Sequence, residues 1–419
     1  MAKNDNQEYA LSEVPKENRK SFLSLIWVLL GFTFFTATMY AGASIGRAFT
    51  FWDILLIVLI GNILLGIYVA ILGYIAQSSG LNTTLMSRYS FGDFGSRWVD
   101  LILGFTQIGW YGWGVATVAV VILKIFGFSE TMDNYTLILN LTMIFFGVLF
   151  GITAYIGYRG IQILSAISVP LMIIFMFISL YYSFDKIGGI EGLTAITPSN
   201  TMTFGIAITA IIGTFISGGT QSTNWTRFAK TKNNAVLGVL IAFFIGNGLM
   251  VLTGAIGAMV YDIADIVDVM LVQGLVAIGA LMLLLNIWTT QDNTIYNFAA
   301  AGCTMFRTPN RKLVTIIGII IGTILGILRV DQSLFSLLIL LGTFIPPIGG
   351  IIIADFFINR KQSFTPIETT KFVAFNFAGI AAYIIASTAA YYGGFMPPVT
   401  GVIVAFFAYI ILIKINKGE

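Results

Sequence analysis

The residues best suited to bind something lie in a stretch otherwise built of apolar side chains. In NIWTTQDN at 286–293, Asn286 stands three and four positions before Thr289 and Thr290. On a helix those positions share a face, so the carbonyl of Asn286 and two hydroxyls could converge on one point. Sodium needs several oxygens, and an unwound neighbouring segment could supply carbonyls for the rest. The spacing fits equally well two threonines that bond back to their own helix. A second constellation is QIGW at 107–110, where Gln107 and Trp110 are three apart and face the same way. An amide beside an indole suits a flat heterocycle: the indole stacks on the ring and the amide reads its polar edge. Stacking of this kind on a base contributes about 1–3 kcal/mol. Phe215, in GTFISGGTQSTNW at 213–225, could cover the opposite face of such a ring. That stretch begins apolar and turns into small and amide side chains, the signature of an interrupted helix. With 14% aromatic residues, any single ring can equally be packing or an interface anchor, and Trp27 and Trp98 read as anchors.

Membrane spans must hold these groups in place. Of the 419 residues, 57% are hydrophobic and 10% charged, against roughly 25% charged in soluble domains. Apolar runs near the ~20 residues that cross a bilayer recur along the whole chain. Twelve spans are expected, at 22–46, 52–78, 98–126, 135–157, 161–184, 203–225, 234–260, 266–300, 313–329, 333–357, 369–392 and 396–415, making an all-α polytopic membrane protein. With the polar tail 1–21 in the cytoplasm, eighteen of the 22 basic residues fall on the inner side, from Lys3 to Lys417, and only Arg47, Lys124, Lys186 and Arg329 do not. This asymmetry obeys the positive-inside rule and places both termini inside. The chain has no histidine and one cysteine, Cys303. An intrachain disulfide and a Ser/His/Asp set are therefore impossible, and a zinc or haem site is unexpected. No organic cofactor, obligatory protein partner, nucleic acid or enzymatic activity is expected. Nearly all carboxylates map to tails, loops or span ends, and only Asp292 reads as deep. No span has a central Lys or Arg. The substrate is thus expected to be neutral, or to have its charge met by helix ends.

Two spans carry interruptions. GFTFFTAT at 31–38 precedes MYAGASIG at 39–46 in the first span, and the glycine-rich run around Gly218 and Gly219 interrupts the sixth. The alternative is that Gly31, Gly42, Gly218 and Gly219 only let helices approach closely. Spans one and six are five apart. Because five is odd, a repeat of five spans must be inverted in the membrane. The expected organisation is a first repeat at 22–184, a second at 203–357, and two added spans at 369–415. PPIGG at 346–350 should shape a hinge in the tenth span.

These motifs, with LIGNILLGIY at 59–68, FISGGT at 215–220 and PPIGGIIIAD at 346–355, resemble the nucleobase–cation symport family, and within it the bacterial carriers of cytosine. The resemblance runs over nearly the whole chain and implies a LeuT-like fold. It implies that Trp110 and Phe215 sandwich a cytosine ring, that Gln107, Ser217 and Asn286 hydrogen-bond its edge, and that Phe35 lines the site. Sodium would be held by carbonyls of Gly31, Phe34 and Asn286 and by the hydroxyls of Thr289 and Thr290. Two positions depart from the family pattern: Gly218, where alanine is expected, and Gln291, where asparagine is expected. The implied function is sodium-coupled import of cytosine by alternating access across the bacterial inner membrane. The alternatives are a same-fold symporter of uracil, a hydantoin or allantoin, and a passive channel for small neutral solutes.

Overall fold

The computed structural model describes residues 8–329 and 334–417. Lys3, residues 1–7 of the expected tail and residue 333, where the tenth span is expected to begin, lie outside these. Nineteen helices follow one another among the described residues: α1 (Phe22–Thr33), α2 (Thr36–Gly46), α3 (Phe51–Ser79), α4 (Thr83–Phe91), α5 (Gly95–Ile125), α6 (Tyr135–Ile156), α7 (Tyr158–Ile187), α8 (Gly189–Ala195), α9 (Phe204–Gln221), α10 (Thr223–Thr226), α11 (Lys232–Ile241), α12 (Gly248–Tyr261), α13 (Ile266–Val272), α14 (Val276–Phe306), α15 (Arg311–Ile327), α16 (Leu334–Phe344), α17 (Pro346–Ala354), α18 (Phe377–Tyr392) and α19 (Pro397–Lys417). Eight helical stretches are long and apolar enough to cross a membrane, or up to ten if each of two bent pairs is one span. The pairs are α1 with α2, bent by 55°, and α14 with α15, bent by 117°. A count of twelve needs α14 and α15 to cross separately and the 16-residue α18 to cross as well. Large apolar side chains face outward, among them Phe105 at 69% and Trp98 at 58% exposure. In water such a surface would associate; in a bilayer it meets hydrocarbon.

The polar groups are inside. Asn62, Asn82, Gln107, Asn247, Asn286, Gln291, Asp292 and Asn297 are each at most 1% exposed. Small residues let the helices close over them. A Cβ added at Gly42 would lie 1.9 Å from the Val251 carbonyl oxygen, and one at Gly254 would lie 2.1 Å from that of Met39. Those glycines are where α2 and α12 touch backbone to backbone. For Gly42 the packing reading therefore holds. The same is true of Gly31, whose added Cβ would meet Ser165 Oγ at 2.2 Å.

The interruption of the first span falls between Gly31 and Gly42, at Phe34 and Phe35, both in extended conformation. Thr33 bonds back to the carbonyls of Leu29 (3.0 Å) and Leu30 (3.2 Å), a habit that bends helices. The sixth span is a correction. Ser217, Gly218 and Gly219 lie inside an unbroken α9, and the helix is interrupted only at Ser222. At PPIGG, where a hinge is expected, α16 ends at Phe344 and the prolines open α17, where a missing N–H costs nothing, within one apolar stretch, Leu338–Asn359.

A strap formed by residues 8–20 crosses one end of the helices. Glu8 Oε1 accepts from the Tyr158 N–H at 2.7 Å, and the carboxylate pairs with Arg311 at 3.4 Å. The buried Arg227 guanidinium donates to the carbonyls of Tyr9 (2.9 Å) and Glu8 (3.0 Å). Val14 N–H reaches the Gly80 carbonyl at 3.0 Å, and Glu13 accepts from the Ile367 N–H at 3.1 Å.

Candidate substrate and ion site

The gap between α1 and α2 frees backbone groups that need partners, and α14 supplies them. Asn286 Oδ1 accepts from both the backbone N–H and the hydroxyl of Thr36, each at 2.7 Å, so this side chain caps the start of α2. One turn on, Thr290 Oγ1 lies 3.1 Å from the Phe34 carbonyl oxygen and 3.0 Å from that of Asn286. Thr289 Oγ1 is 3.2 Å from the same Asn286 oxygen and 2.8 Å from that of Leu285. Four of the five expected ion-binding oxygens are thus gathered where the first span is interrupted: two carbonyls, of Phe34 and Asn286, and two hydroxyls. Gly31 sits on the same helix, three residues before Phe34. Thr289 bonds only within its own helix, whereas Thr290 also bridges to α1.

An aromatic cleft adjoins this cluster. It is lined by Phe32, Phe35, Gln107, Trp110, Thr214, Phe215, Gly218, Thr290 and Thr294, so Thr290 belongs to both places. Phe35 is its hub, with ring centroids 5.5 Å from Trp110, 5.3 Å from Trp113 and 6.1 Å from Phe215, all edge-on. Gln107 Nε2 donates to Ser217 Oγ at 3.0 Å, and Thr106 shares a hydrogen bond with the same hydroxyl. The amide and the serine expected on the base edge therefore lie side by side. Asn286 differs from expectation in one respect: its Oδ1 is occupied by Thr36, and only the buried Nδ2, without a protein partner, is left to donate. A larger apolar cavity of about 630 Å³ lies behind Trp110, between α5 and α15–α18. Thr106 contributes a hydroxyl there, but the converging polar groups are in the cleft.

Several residues here were not singled out by spacing: Thr294 and Phe32 line the cleft, while Trp113 packs on Phe35 and lines the larger cavity. Trp113 follows Trp110 by three and Thr294 follows Thr290 by four, so helical periodicity could have found both. Phe32 could not be found that way. Its ring packs on Gly218, where an added Cβ would fall 2.4 Å from Phe32 Cζ. This gives Gly218, where the resemblance leads us to expect alanine, a packing reason. The Gln291 amide fills the space beside Gly114, where an added Cβ would lie 2.1 Å from its Nε2. The polar half of GTFISGGTQSTNW has another use. Thr223 Oγ1 accepts from the Thr83 N–H and Asn224 Oδ1 from Asn82 Nδ2, both at 2.8 Å, while Asn224 Nδ2 donates to Asn297 at 2.9 Å. These residues tie α10 to α4 and α14.

Beyond the cleft, α13 packs on α14, α12 and α7, and its cap reaches Tyr40 of α2. Asp265 caps α13 through the Val267 N–H (2.7 Å) and faces the Tyr40 hydroxyl at 3.4 Å. Burial pushes its carboxyl up to about 7, and nearby Asp268 adds to the effect; the Val267 N–H, Tyr40 and Lys124 work against it. Two exposed ion pairs hold residues 262–273, the lid, to neighbouring segments: Arg47 with Asp262 at 2.8 Å and Lys124 with Asp268 at 2.9 Å.

Comparison with known proteins places this arrangement. Residues 13–384 match the family described as permease for cytosine/purines, uracil, thiamine, allantoin. The cytosine permease of Escherichia coli strain K12 is 37% identical over 412 residues, covering 98% of this chain and 95% of that protein. The allantoin permease of Bacillus subtilis strain 168 is 21% identical, covering 87% and 84%. Among solved structures, Mhp1, a nucleobase-cation-symport-1 family transporter in a closed conformation with bromovinylhydantoin bound, superposes with a TM-score of 0.85 at 19% identity over 97% of this chain and 95% of that one. A Na+-coupled sialic acid symporter gives 0.68 at 13% identity, over 95% and 90%. The fold is that of these transporters, the LeuT-like fold, and the relatives are permeases rather than enzymes. From its sequence, over nearly all its length, this chain belongs to the family of permeases for cytosine/purines, uracil, thiamine and allantoin.

Proposed function

We propose that the chain imports cytosine together with sodium by alternating access across the bacterial inner membrane. Twelve spans, two inverted five-span repeats plus two added helices, and cytoplasmic termini complete the reading. The observation that carries it is Thr290, which touches the Phe34 carbonyl at the interruption of the first span and also lines the aromatic cleft. An ion bound among Gly31, Phe34, Asn286, Thr289 and Thr290 orders the segment that bears Phe35. Phe35 in turn shapes the cleft in which Trp110 and Phe215 stack on the base and Gln107, Ser217 and Asn286 Nδ2 meet its edge. Ion and base then tighten each other's binding reciprocally. The 37% identity to a cytosine permease supports cytosine over uracil, a hydantoin or allantoin.

The test is uptake of labelled cytosine into proteoliposomes under an imposed sodium gradient. Accumulation above the external concentration that collapses without sodium is expected. Equilibration without accumulation would make the protein a passive channel, and accumulation indifferent to sodium would remove the coupling. Unlabelled uracil, hydantoin and allantoin should compete poorly. Trp110→Ala should weaken cytosine binding about 10–100-fold, the loss of one stacking face. Unchanged affinity would move the base elsewhere.

A further inference from the structure

One turn from the cleft toward the strap, each of three lining helices brings up a further polar group. Gln221 follows Ser217 by four on α9, Leu103 precedes Gln107 by four on α5, and Asn297 follows Thr294 by three on α14. The direction is set by Arg227, which follows Gln221 and holds the strap. Backbone groups fix how these amides are turned. Asn82 Oδ1 caps α4 by accepting the Leu85 N–H at 3.0 Å, so its Nδ2 donates to Asn224 Oδ1 at 2.8 Å. Asn224 Nδ2 then donates to Asn297 Oδ1 at 2.9 Å, which leaves Asn297 Nδ2 as a donor with no protein partner. Gln221 Nε2 donates to the Leu103 carbonyl at 3.3 Å, which leaves Gln221 Oε1 as an acceptor with none. Both residues are 0% exposed. Gln221 and Asn224 are three apart across a break whose backbone bonds continue the helix, so the two amides lie on one face, Gln221 over α5 and Asn224 over α14. A free donor and a free acceptor are thus buried between three of the helices that line the cleft, where buried polar atoms are normally paired.

We propose that Gln221 and Asn297 form a second station for the base, entered after the cleft on the way to the strap end. The inference rests on the base-transport reading above. The amidine edge of cytosine carries one acceptor, the ring N3, and one donor, the exocyclic amine. Asn297 Nδ2 donates to the first and Gln221 Oε1 accepts from the second, once α9 and α14 part far enough to admit the ring. The station serves release and not capture, so it acts on turnover and leaves affinity at the cleft alone.

The experiment compares full-length wild type with Gln221→Met. Methionine keeps the length of the side chain and removes the free acceptor, while the Leu103 carbonyl keeps its helical bond and the Thr106 hydroxyl at 2.8 Å. Maximal uptake of labelled cytosine into proteoliposomes under a sodium gradient should fall about fivefold or more, the loss of one neutral hydrogen bond. Cytosine Kd at saturating sodium, measured in nanodiscs, should stay within about twofold of wild type. Thermal stability should not fall, because a buried unpaired oxygen has been removed. Unchanged maximal uptake overturns the proposal. A matching loss of cytosine affinity also overturns it, since Gln221 would then belong to the cleft, and so does a drop in thermal stability, which marks packing. If Gln221→Met does not fold, Gln221→Leu is read by the same split between uptake and Kd, and no split there overturns the proposal too. A wild type that does not bind cytosine removes the base reading itself, whereas normal binding with unchanged Gln221→Met uptake removes only the station.

Discussion

The chain is interrupted twice beside the cleft, once between α1 and α2 and once between α9 and α10, and the two interruptions are held together in different ways. At the first, two residues are extended and the freed groups are met by side chains of a distant helix, Asn286 and Thr290. At the second, only Ser222 leaves the helix, and local backbone bonds continue across it: Ser222 N–H to Gly219 at 3.1 Å and Thr226 N–H to Ser222 at 2.9 Å. Glycine content does not separate the two. Phe34 and Phe35 open the chain without any glycine between them, and Gly218 and Gly219 sit within a continuous helix. What separates them is whether another helix takes over the backbone's hydrogen bonds. The first interruption can therefore be coupled to a ligand, because its partners are side chains that a bound ion can also engage.

The sharpest way to break this contrast is Asn286→Ala. Two buried donors of Thr36 lose their acceptor, at about 1–3 kcal/mol for each unsatisfied group, so cytosine uptake should fall by about 100-fold or more and thermal stability should drop. Uptake within a few-fold of wild type would mean that α2 needs no cap. A finer test compares the two threonines. Thr290→Val should raise the half-saturating sodium concentration about tenfold in uptake assays, whereas Thr289→Val, which loses a bond within its own helix, should raise it about threefold. The reverse order would show that the bridge to Phe34 is incidental. The second interruption should be more tolerant. Gly218→Ala presses on Phe32, and overpacking of this kind costs about 1–3 kcal/mol unless the ring turns aside. Cytosine Km should rise a few-fold with sodium dependence intact, and a change in sodium dependence would couple α9 to the ion after all.

The smallest effect concerns the lid. Asp265 has its carboxyl raised to about 7 where it is buried under the lid, above its value when exposed. The buried, lid-closed form therefore binds the proton more tightly. Its advantage is fully present below the exposed value and is lost as pH rises through about 7. Hydrogen exchange over residues 262–273, corrected for intrinsic rates, should be faster at pH 8.5 than at pH 6. Asp265→Asn should flatten that difference, and a wild type without pH dependence would remove it.

Much of the cleft was legible because helical spacing is geometric. Gln107 with Trp110, and Asn286 with Thr289 and Thr290, share faces whatever surrounds them. What was not legible depends on which helix lies opposite. Spacing could not say that Asn286 Oδ1 would cap α2, that Thr289 would bond inward while Thr290 bridged, or that Phe32 would claim the space at Gly218. The polar run after Gly219 was read as a binding break because its partners, Asn82 and Thr83, lie far away in sequence. Asn247 had no signal at all. A π-helical turn at Ala242–Asn247 aims it at Asn62, 2.8 Å away, and at Thr214 on the cleft wall, 3.3 Å away.

The strap at residues 8–20 sets an order of events during synthesis. It is the first described part of the chain to be made, yet its docking surface is assembled from Gly80, Tyr158, Arg227, Arg311 and Ile367. At 5–20 residues per second, roughly 20–70 s pass before Ile367 exists. Until then the strap has no complete seat. Docking of the strap is thus complete only once the segment after α17 exists, ahead of α18 and α19.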